Sequence, residues 1–308
     1  MGVERGLRVL SLCDGMATGR LVLDKLGLNV DTYYASEIDK YAVKVATNNY
    51  PDIVEIGDIK KVMYMNEKLC TEKGIFDIGK VDLLLSGVPC TSFSIAGKKE
   101  NFEGESGELF YEFLRILQEV KPTYFLFENV KMRKDVADEI DKALGVNRVF
   151  LNSVDFNGHI RKRYYWTNIP IGEYEKKDIY IKDIIDSSIP YDRPCDELLD
   201  RTVYEPSKSS DGVITINPRN KNGKQTWQRG RIYDIEGKCP TICASLFDLN
   251  ITKDHKTYRK LTIEECEKLQ GVPIGYTNGV PKTERGKMLG NGWQVDTVSF
   301  ILQGIKVL

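Results

Sequence analysis

Apolar runs of strand length alternate with amphipathic helical stretches over the first 170 residues of the chain. The runs fall near Leu7–Leu12, Thr32–Ser36, Ile53–Gly57, Val81–Ser86, Tyr124–Glu128 and Arg148–Ser153. Helical spacing recurs between them, as over Leu109–Val120, where Leu109, Phe113, Ile116 and Leu117 share a face. Such alternation predicts a parallel sheet covered by helices, the α/β doubly wound class. From Gly172 to about Lys260 the pattern loosens, punctuated by Pro190, Pro194, Pro206 and Pro218. That shift predicts a first domain over 1–171 and a smaller irregular domain over 172–258. Thr262-Ile263-Glu264-Glu265 has capping-box spacing, and Val295–Leu302 is a last apolar element. Residues 259–308 are therefore expected to return to the first domain as a closing segment.

A chain of 308 residues with 41% hydrophobic positions can build a full core without crosslinks. Its 44 Lys and Arg nearly balance 45 Asp and Glu, leaving a net charge of −1. No whole-molecule field holds a polyanion, so a nucleic-acid face must be local. The amino terminus has no apolar signal region and no run has membrane length, which predicts a protein that is neither secreted nor membrane-bound. The seven cysteines (13, 70, 90, 195, 239, 243 and 266) are scattered and odd in number, as expected of a reducing cytoplasm without disulfides. Cys239 and Cys243 lack further ligands, since His159 and His255 are the only histidines, so no metal is expected.

Candidate chemistry collects at the predicted strand ends. The first strand runs through Cys13 into Asp14-Gly15-Met16-Ala17-Thr18-Gly19, a glycine-bearing strand-to-helix turn that lets a ligand approach the backbone. Glu37 ends the second strand, where a carboxylate can bridge ribose hydroxyls, with Ile38 beside it. Asp58, followed by Ile59, ends the third strand, where it can accept from an adenine amino group. Taken singly, each acid reads more readily as a cap or a solvated loop charge. Three consecutive strand ends favour a cofactor crevice, because open α/β sheets bind ligands at their carboxyl edge.

The fourth strand ends in Gly87-Val88-Pro89-Cys90, presenting a thiol at its tip ahead of a glycine-bearing polar stretch over 91–108 that reads as a lid. The fifth ends in Glu128-Asn129-Val130. A glutamate desolvated there can have a raised pKa and act as a proton donor. Arg161 and Arg163 fall on one side of an extended segment before an aromatic run, and their planar forks suit a base carbonyl and a phosphate.

At these residues the chain closely resembles the DNA (cytosine-5) methyltransferase family. Gly87-Val88-Pro89-Cys90 looks like its Pro-Cys nucleophile motif, Glu128-Asn129-Val130 like Glu-Asn-Val, and Arg161-Lys162-Arg163 like Arg-x-Arg. Order and spacing agree across 7–170, Arg259–Leu302 resembles the closing motifs, and Leu289-Gly290-Asn291-Gly292-Trp293 resembles the last cofactor motif. Only about 172–258, the variable target-recognition region, is unmatched. The chain departs from the family pattern at Cys13, where bacterial members usually carry a Phe, at Ala17 in place of a glycine, and at His159 in place of a Gln.

The resemblance implies a Rossmann-like S-adenosylmethionine-dependent methyltransferase fold, with S-adenosylhomocysteine as product and no metal. It implies catalytic roles for Cys90, Glu128, Arg161 and Arg163, with Arg163 holding the base O2 and Arg161 supporting the flanking loop and phosphate. Cofactor contacts fall to Cys13, Asp14, Gly15, Gly19, Glu37, Ile38, Asp58, Ile59, Leu109, Asn291 and Trp293. The substrate is a cytosine flipped out of double-stranded DNA, contacted by Ser94. Arg219, Lys221, Lys224, Arg229 and Arg231 form a basic stretch without an acid between Ile216 and Arg231, expected to face DNA. A solvated basic loop is its plain alternative.

With no nuclease domain, the expectation is a monomeric, stand-alone methylase in the cytoplasm of a bacterial cell, chromosomal or phage-encoded, with a separate restriction endonuclease as a further partner. A tRNA cytosine-5 methyltransferase shares these motifs and stays open. A nicotinamide-dependent dehydrogenase would need the Gly-x-Gly-x-x-Gly fingerprint, absent here. A catalytically dead DNA-binding regulator would be expected to lose Cys90 and Glu128, and this chain keeps both.

Overall fold

The all-apolar run Leu83-Leu84-Leu85 becomes a strand buried on both faces, as the centre of a helix-covered parallel sheet requires. In the computed structural model, which describes residues 5–89, 105–198, 205–219, 224, 226–245 and 247–306, this strand is β7 (Leu83–Ser86). Its sheet also contains β1 (Leu7–Leu12), β2 (Val30–Ser36), β3 (Val54–Glu55), β8 (Tyr124–Val130), β9 (Val149–Asn152) and β10 (Lys162–Thr167). The strand order is β3-β2-β1-β7-β8-β10-β9. The pairs β1/β2, β1/β7, β2/β3 and β7/β8 are parallel, whereas β10 runs antiparallel to β8. Strand order reverses between β1 and β7, the switch point where such sheets open a crevice.

Helices α1 (Thr18–Lys25), α2 (Lys40–Asn49), α3 (Glu105–Val120) and α4 (Lys134–Leu144) connect these strands. On α3, Phe110, Phe113, Ile116 and Val120 turn one face into a core shared with Leu10, Leu84, Phe127 and Trp166. Helix α4 ends at Gly145, whose φ of 68° is the left-handed stop that glycine accommodates. Between β3 and β7 the chain adds a three-stranded antiparallel sheet, β4 (Met63–Met65), β5 (Lys68–Thr71) and β6 (Gly74–Asp77). Its strands are too short for their alternation to stand out in sequence.

Contacts divide the chain into two units. The first comprises 1–151, 162–173 and 297–308, and the second 152–161 and 174–296. These bounds differ from the sequence expectation, because 152–161 and most of the supposed closing segment belong to the second unit. The reason is local: β16 (Thr257–Lys260) pairs with β15 (Asn250–Thr252), and Arg259 forms a bidentate buried ion pair with Glu265 at 2.7 and 2.8 Å. The second unit is also less irregular than its composition implies. It holds a six-stranded sheet, with β11 (Arg193–Pro194), β12 (Ser207–Lys208), β13 (Ile214–Thr215) and β14 (Ile232–Asp234) completing the order β11-β16-β15-β14-β13-β12. Helices α5 (Ile263–Gln270) and α6 (Lys282–Asn291) follow, and α7 (Val295–Leu302) crosses into the first unit. The capping box forms at α5, where Thr262 and Glu265 each accept from the other's backbone N–H. No helix among the described residues is long and apolar enough to cross a membrane.

Candidate active site

The turn after β1 is built from residues in the left-handed region. Cys13, Gly15 and Ala17 have φ of 53°, 64° and 61°, a conformation costing roughly 1–2 kcal/mol for a non-glycine residue. The space where a Cβ on Gly15 would sit has no atom within 4 Å, so a ligand can reach this backbone. Glu37, just past β2, holds the turn open: its Oε2 accepts from Gly15 N at 2.8 Å, and its Oε1 from Ile38 N and Asp39 N, both at 2.8 Å. A carboxylate has about four acceptor positions, so one remains on Oε2 for a hydroxyl donor. Ile38 beside it is 76% exposed, an apolar wall that a flat ring can cover. Gly19 is buried in the first turns of α1.

The other side chains of this edge are packed or already hold partners. Asp14 is buried, with Oδ1 accepting from Ser11 Oγ at 2.5 Å and Tyr33 OH at 2.6 Å, while Oδ2 has no hydrogen-bond partner. Burial pushes its carboxyl up to about 6, against the lowering pull of those two hydroxyls. The Cys13 thiol is pushed far above its ordinary value, first by burial and then by Glu37, Asp58 and Asp14, so it is a protonated packing group. Asp58 caps the short turn Ile59–Lys61, Oδ1 accepting from Lys60 N at 3.0 Å. The Ile59 side chain is buried in the core. Leu109 likewise packs half-buried against that core.

Sequence reasoning missed Glu55. Both its carboxylate oxygens are buried without a hydrogen-bond partner. Burial, reinforced by Asp14 and Glu37, pushes it up to about 8, so it carries a proton at neutral pH. A lone glutamate in a two-residue strand gives no sequence signal for this.

On β8 and β10, register explains the next pair. Glu128 lies opposite Tyr165, two residues from Arg163 on the same face. Arg163 Nε approaches Glu128 Oε1 to 2.7 Å, both side chains being largely buried. The contact lacks hydrogen-bond alignment, since Oε1 has no hydrogen-bond partner, and so retains acceptor capacity. Asn129, which sequence reasoning quoted without a role, is 1% exposed; its Nδ2 reaches Val88 O at 3.5 Å, and its Oδ1 accepts from Val130 N at 2.8 Å. It thus ties the end of β8 to the segment leaving β7, two residues before Cys90. Cys90, Ser94 and Lys221 lie outside the described residues, as does most of the expected lid.

Arg161 supports a neighbouring stretch of backbone. It belongs to the other unit and is 2% exposed, with Nη1 donating to Gly290 O and Nη2 to Asn291 O, both at 2.9 Å. Those bonds hold the carboxyl end of α6, so the guanidinium serves as an internal positioning group for that segment. Gly290 is required there, because a Cβ would meet Ala244 N at 2.2 Å. The Asn291 side is exposed and Trp293 is buried.

The same unit presents the basic stretch. Arg219, Lys224 and Arg229 are exposed, and Arg231 is half-buried with Nε donating to Thr226 O at 3.0 Å. A cleft of about 430 Å³ lies alongside, lined by Ser207, Lys208, Asp211, Gln228, Arg231 and Thr241 among others. The six described cysteines are free thiols. Among the described residues no group of three or more His, Cys, Asp or Glu is placed to hold a metal.

Comparison with known proteins places this geometry among relatives. The family model for C-5 cytosine-specific DNA methylases matches residues 7–161 and 195–307. The Type II methyltransferase M.Bsp6I from Bacillus sp. (strain RFL6) is 30% identical, with 97% of this chain and 98% of that protein covered. M.HhaI from Haemophilus parahaemolyticus is 28% identical over 97% and 94%. Among solved structures, the Dnmt2 methyltransferase of S. pombe superposes with a TM-score of 0.67 at 19% identity, covering 97% of this chain and 98% of that one. A putative DNA modification methyltransferase from an E. coli prophage gives 0.65 at 20%, with the same coverage.

Proposed function

Because the chain belongs to the C-5 cytosine-specific DNA methylase family and is a methyltransferase, we propose that it methylates C5 of a cytosine swung out of duplex DNA, through a covalent bond to Cys90. The observation that carries this reading is the juxtaposition at adjacent strand ends. Glu128 and Arg163 form a buried pair one strand from β7, and Asn129 ties to Val88 just before Pro89-Cys90.

Cytosine C5 is a poor nucleophile until the ring is activated. The Cys90 thiolate adds to C6 while Glu128 donates a proton at N3, converting the ring to an enamine nucleophilic at C5. After C5 is methylated, its proton passes to a base and the proton at N3 returns to Glu128, which re-forms the C5–C6 double bond and expels Cys90 as thiolate. Arg163 faces Glu128 and holds the base O2. The cytosine must leave the stack, because its C6 face is covered in a duplex, at a cost of a few kcal/mol.

S-adenosylmethionine, when bound, supplies the methyl group on a sulfonium. The residues present fit it: an unobstructed Gly15 backbone, one acceptor position left on Glu37, and the bare side chain of Ile38 beside it. Glu37 would take a ribose hydroxyl, Ile38 would cover the adenine and Asp58 would accept from its amino group. Asn291 and Trp293 would complete the site, with Arg161 fixing the Asn291 backbone.

Arg219, Lys221, Lys224, Arg229 and Arg231 supply phosphate contacts, and base contacts come from the same unit. The bacterial and phage sources of the relatives are in keeping with a cytoplasmic enzyme; that it acts as a monomer, with a separate restriction endonuclease as partner, is part of the same proposal.

The test is methyl transfer from labelled cofactor to unmethylated duplex DNA and, side by side, to tRNA, with DNA carrying 5-fluorocytosine as a trap. Expected are DNA labelling and a stable adduct through position 90, both lost in Cys90→Ser. Labelling of tRNA alone, or turnover of Cys90→Ser at the wild-type rate, would overturn the reading.

A further inference from the structure

Trp227 is 88% exposed, the largest exposure among the large hydrophobic side chains described. Its position is built rather than loose. Trp227 caps the one-turn helix Gln228–Gly230, and its carbonyl accepts from Gly230 N at 2.9 Å. The preceding Thr226 donates from N to Pro218 O at 2.9 Å and from Oγ1 to Asn217 O at 2.7 Å. Asn217, itself 1% exposed, closes the base of the turn by donating to Gly230 O at 2.8 Å and accepting from Ile232 N at 2.7 Å. Gln228 is fixed through Nε2 to Thr241 O at 3.0 Å. A backbone tied at this many points thus holds an indole out in water.

The charge around that indole selects its partner. The sixteen residues Ile216–Arg231 carry five positive charges and no negative one, and Arg219, Lys224 and Arg229 are exposed with Trp227. Basic residues interleaved with an exposed aromatic are the combination that binds a nucleic-acid backbone while stacking on its bases. An apolar protein partner would not favour the charge, and a polyanion contacted only through phosphate would not need the indole. In an intact duplex base faces are covered, and one opens only where a nucleotide has left the stack. The chemistry proposed above creates such an opening.

We propose that Trp227 is a DNA-stacking residue whose indole packs on a base face uncovered when the duplex opens, stabilising the opened form. This rests on the functional reading above and assigns the aromatic contact that the reading leaves out. Trp227 is a positioning residue for the reaction, since it touches DNA away from the bonds that change.

The other two tryptophans are internal, Trp166 at 0% and Trp293 at 9% exposure, so the solvent-exposed part of the emission belongs to Trp227. Titrating the full chain with sheared unmethylated genomic duplex should quench that part, because a nucleobase stacked on indole quenches it. Trp227→Ala should raise the KM for this DNA roughly 5- to 100-fold, the equivalent of one base–aromatic stack, with the KM for cofactor unchanged. Trp227→Phe should recover most of the loss. If the wild type binds and methylates duplex while its exposed emission stays constant, or Trp227→Ala keeps the wild-type KM, the stacking inference falls and the functional reading stands. If the wild type neither binds nor methylates duplex, both fall.

Discussion

Replacing Arg161 tests whether it is the internal positioning group described above or a fork for a bound phosphate. Its two Nη atoms each donate to a buried carbonyl, Gly290 O and Asn291 O, both at 2.9 Å. A hydrogen bond from a charged donor contributes about 1.5–3 kcal/mol, so the pair sets a ceiling of about 3–6 kcal/mol. Removing the whole side chain also ends the cost of burying its charge, which offsets part of that sum. Arg161→Ala is therefore expected to destabilise the second unit by about 2–4 kcal/mol. Arg161→Lys should lose roughly half as much, because an ammonium on a shorter reach can satisfy one of the two carbonyls. Hydrogen exchange of the α6 amides localises the effect to this unit, and urea unfolding followed by the emission of buried Trp293 gives its size. In methyl transfer, KM for cofactor should rise more than kcat falls. If Arg161→Ala unfolds within about 0.5 kcal/mol of wild type and its loss is instead confined to DNA binding, the arginine serves a phosphate and the positioning argument is wrong.

Three other perturbations have defined signs. Glu265→Ala strands the buried Arg259 guanidinium, which Glu265 pairs at 2.7 and 2.8 Å, and should cost about 3–5 kcal/mol in urea midpoint analysis. Asp14 titrates near 6 when folded against 3.8 ordinarily, so the folded state favours its proton. Its contribution is full below about pH 4 and is lost as pH rises through 6, on the order of 3 kcal/mol. Asp14→Asn should abolish that fall, so that it appears as the difference between the two stability–pH curves, and parallel curves would refute the assignment. Ala17 sits at φ 61°, so Ala17→Gly should relieve about 1–2 kcal/mol of strain against about 0.4–1 kcal/mol of added unfolded-state entropy. A small rise in Tm is expected, and a clear fall would show that the Ala17 methyl packs for more than its backbone costs.

The central sheet was legible because its strands are continuous apolar runs and its helices keep a 3.6-residue period, as at Phe113 and Ile116, although the core face turned towards Phe110 and Val120 and left Leu109 and Leu117 partly buried. The capping box of α5 was legible because its two partners are three residues apart. Strands of two to four residues, such as β12 and β13, carry too few positions for a period, so the second unit reads as irregular. Glu37 and Asp58 could be placed at strand ends, but not what their oxygens already hold, since Gly15 N lies 22 residues from Glu37. The particular carbonyls that Arg161 holds were out of reach for the same reason, being 129 and 130 residues away. Glu55 and Asn129 gave no motif-level sign of their roles, because burial and a single contact to Val88 depend on the assembled edge.

The chain's repeated crossing between its two units limits how recognition can be exchanged between relatives. A graft carrying only 174–296 would arrive without Asn152–Arg161, and its α6 terminus would have to borrow the recipient's arginine to fill two empty carbonyls. Arg163, two positions further along, would stay behind with Glu128 in the recipient. The seam for recombination therefore falls between neighbouring arginines, and a hybrid gene that respects it needs three junctions upstream, after 151, 161 and 173, as well as one near Asp296.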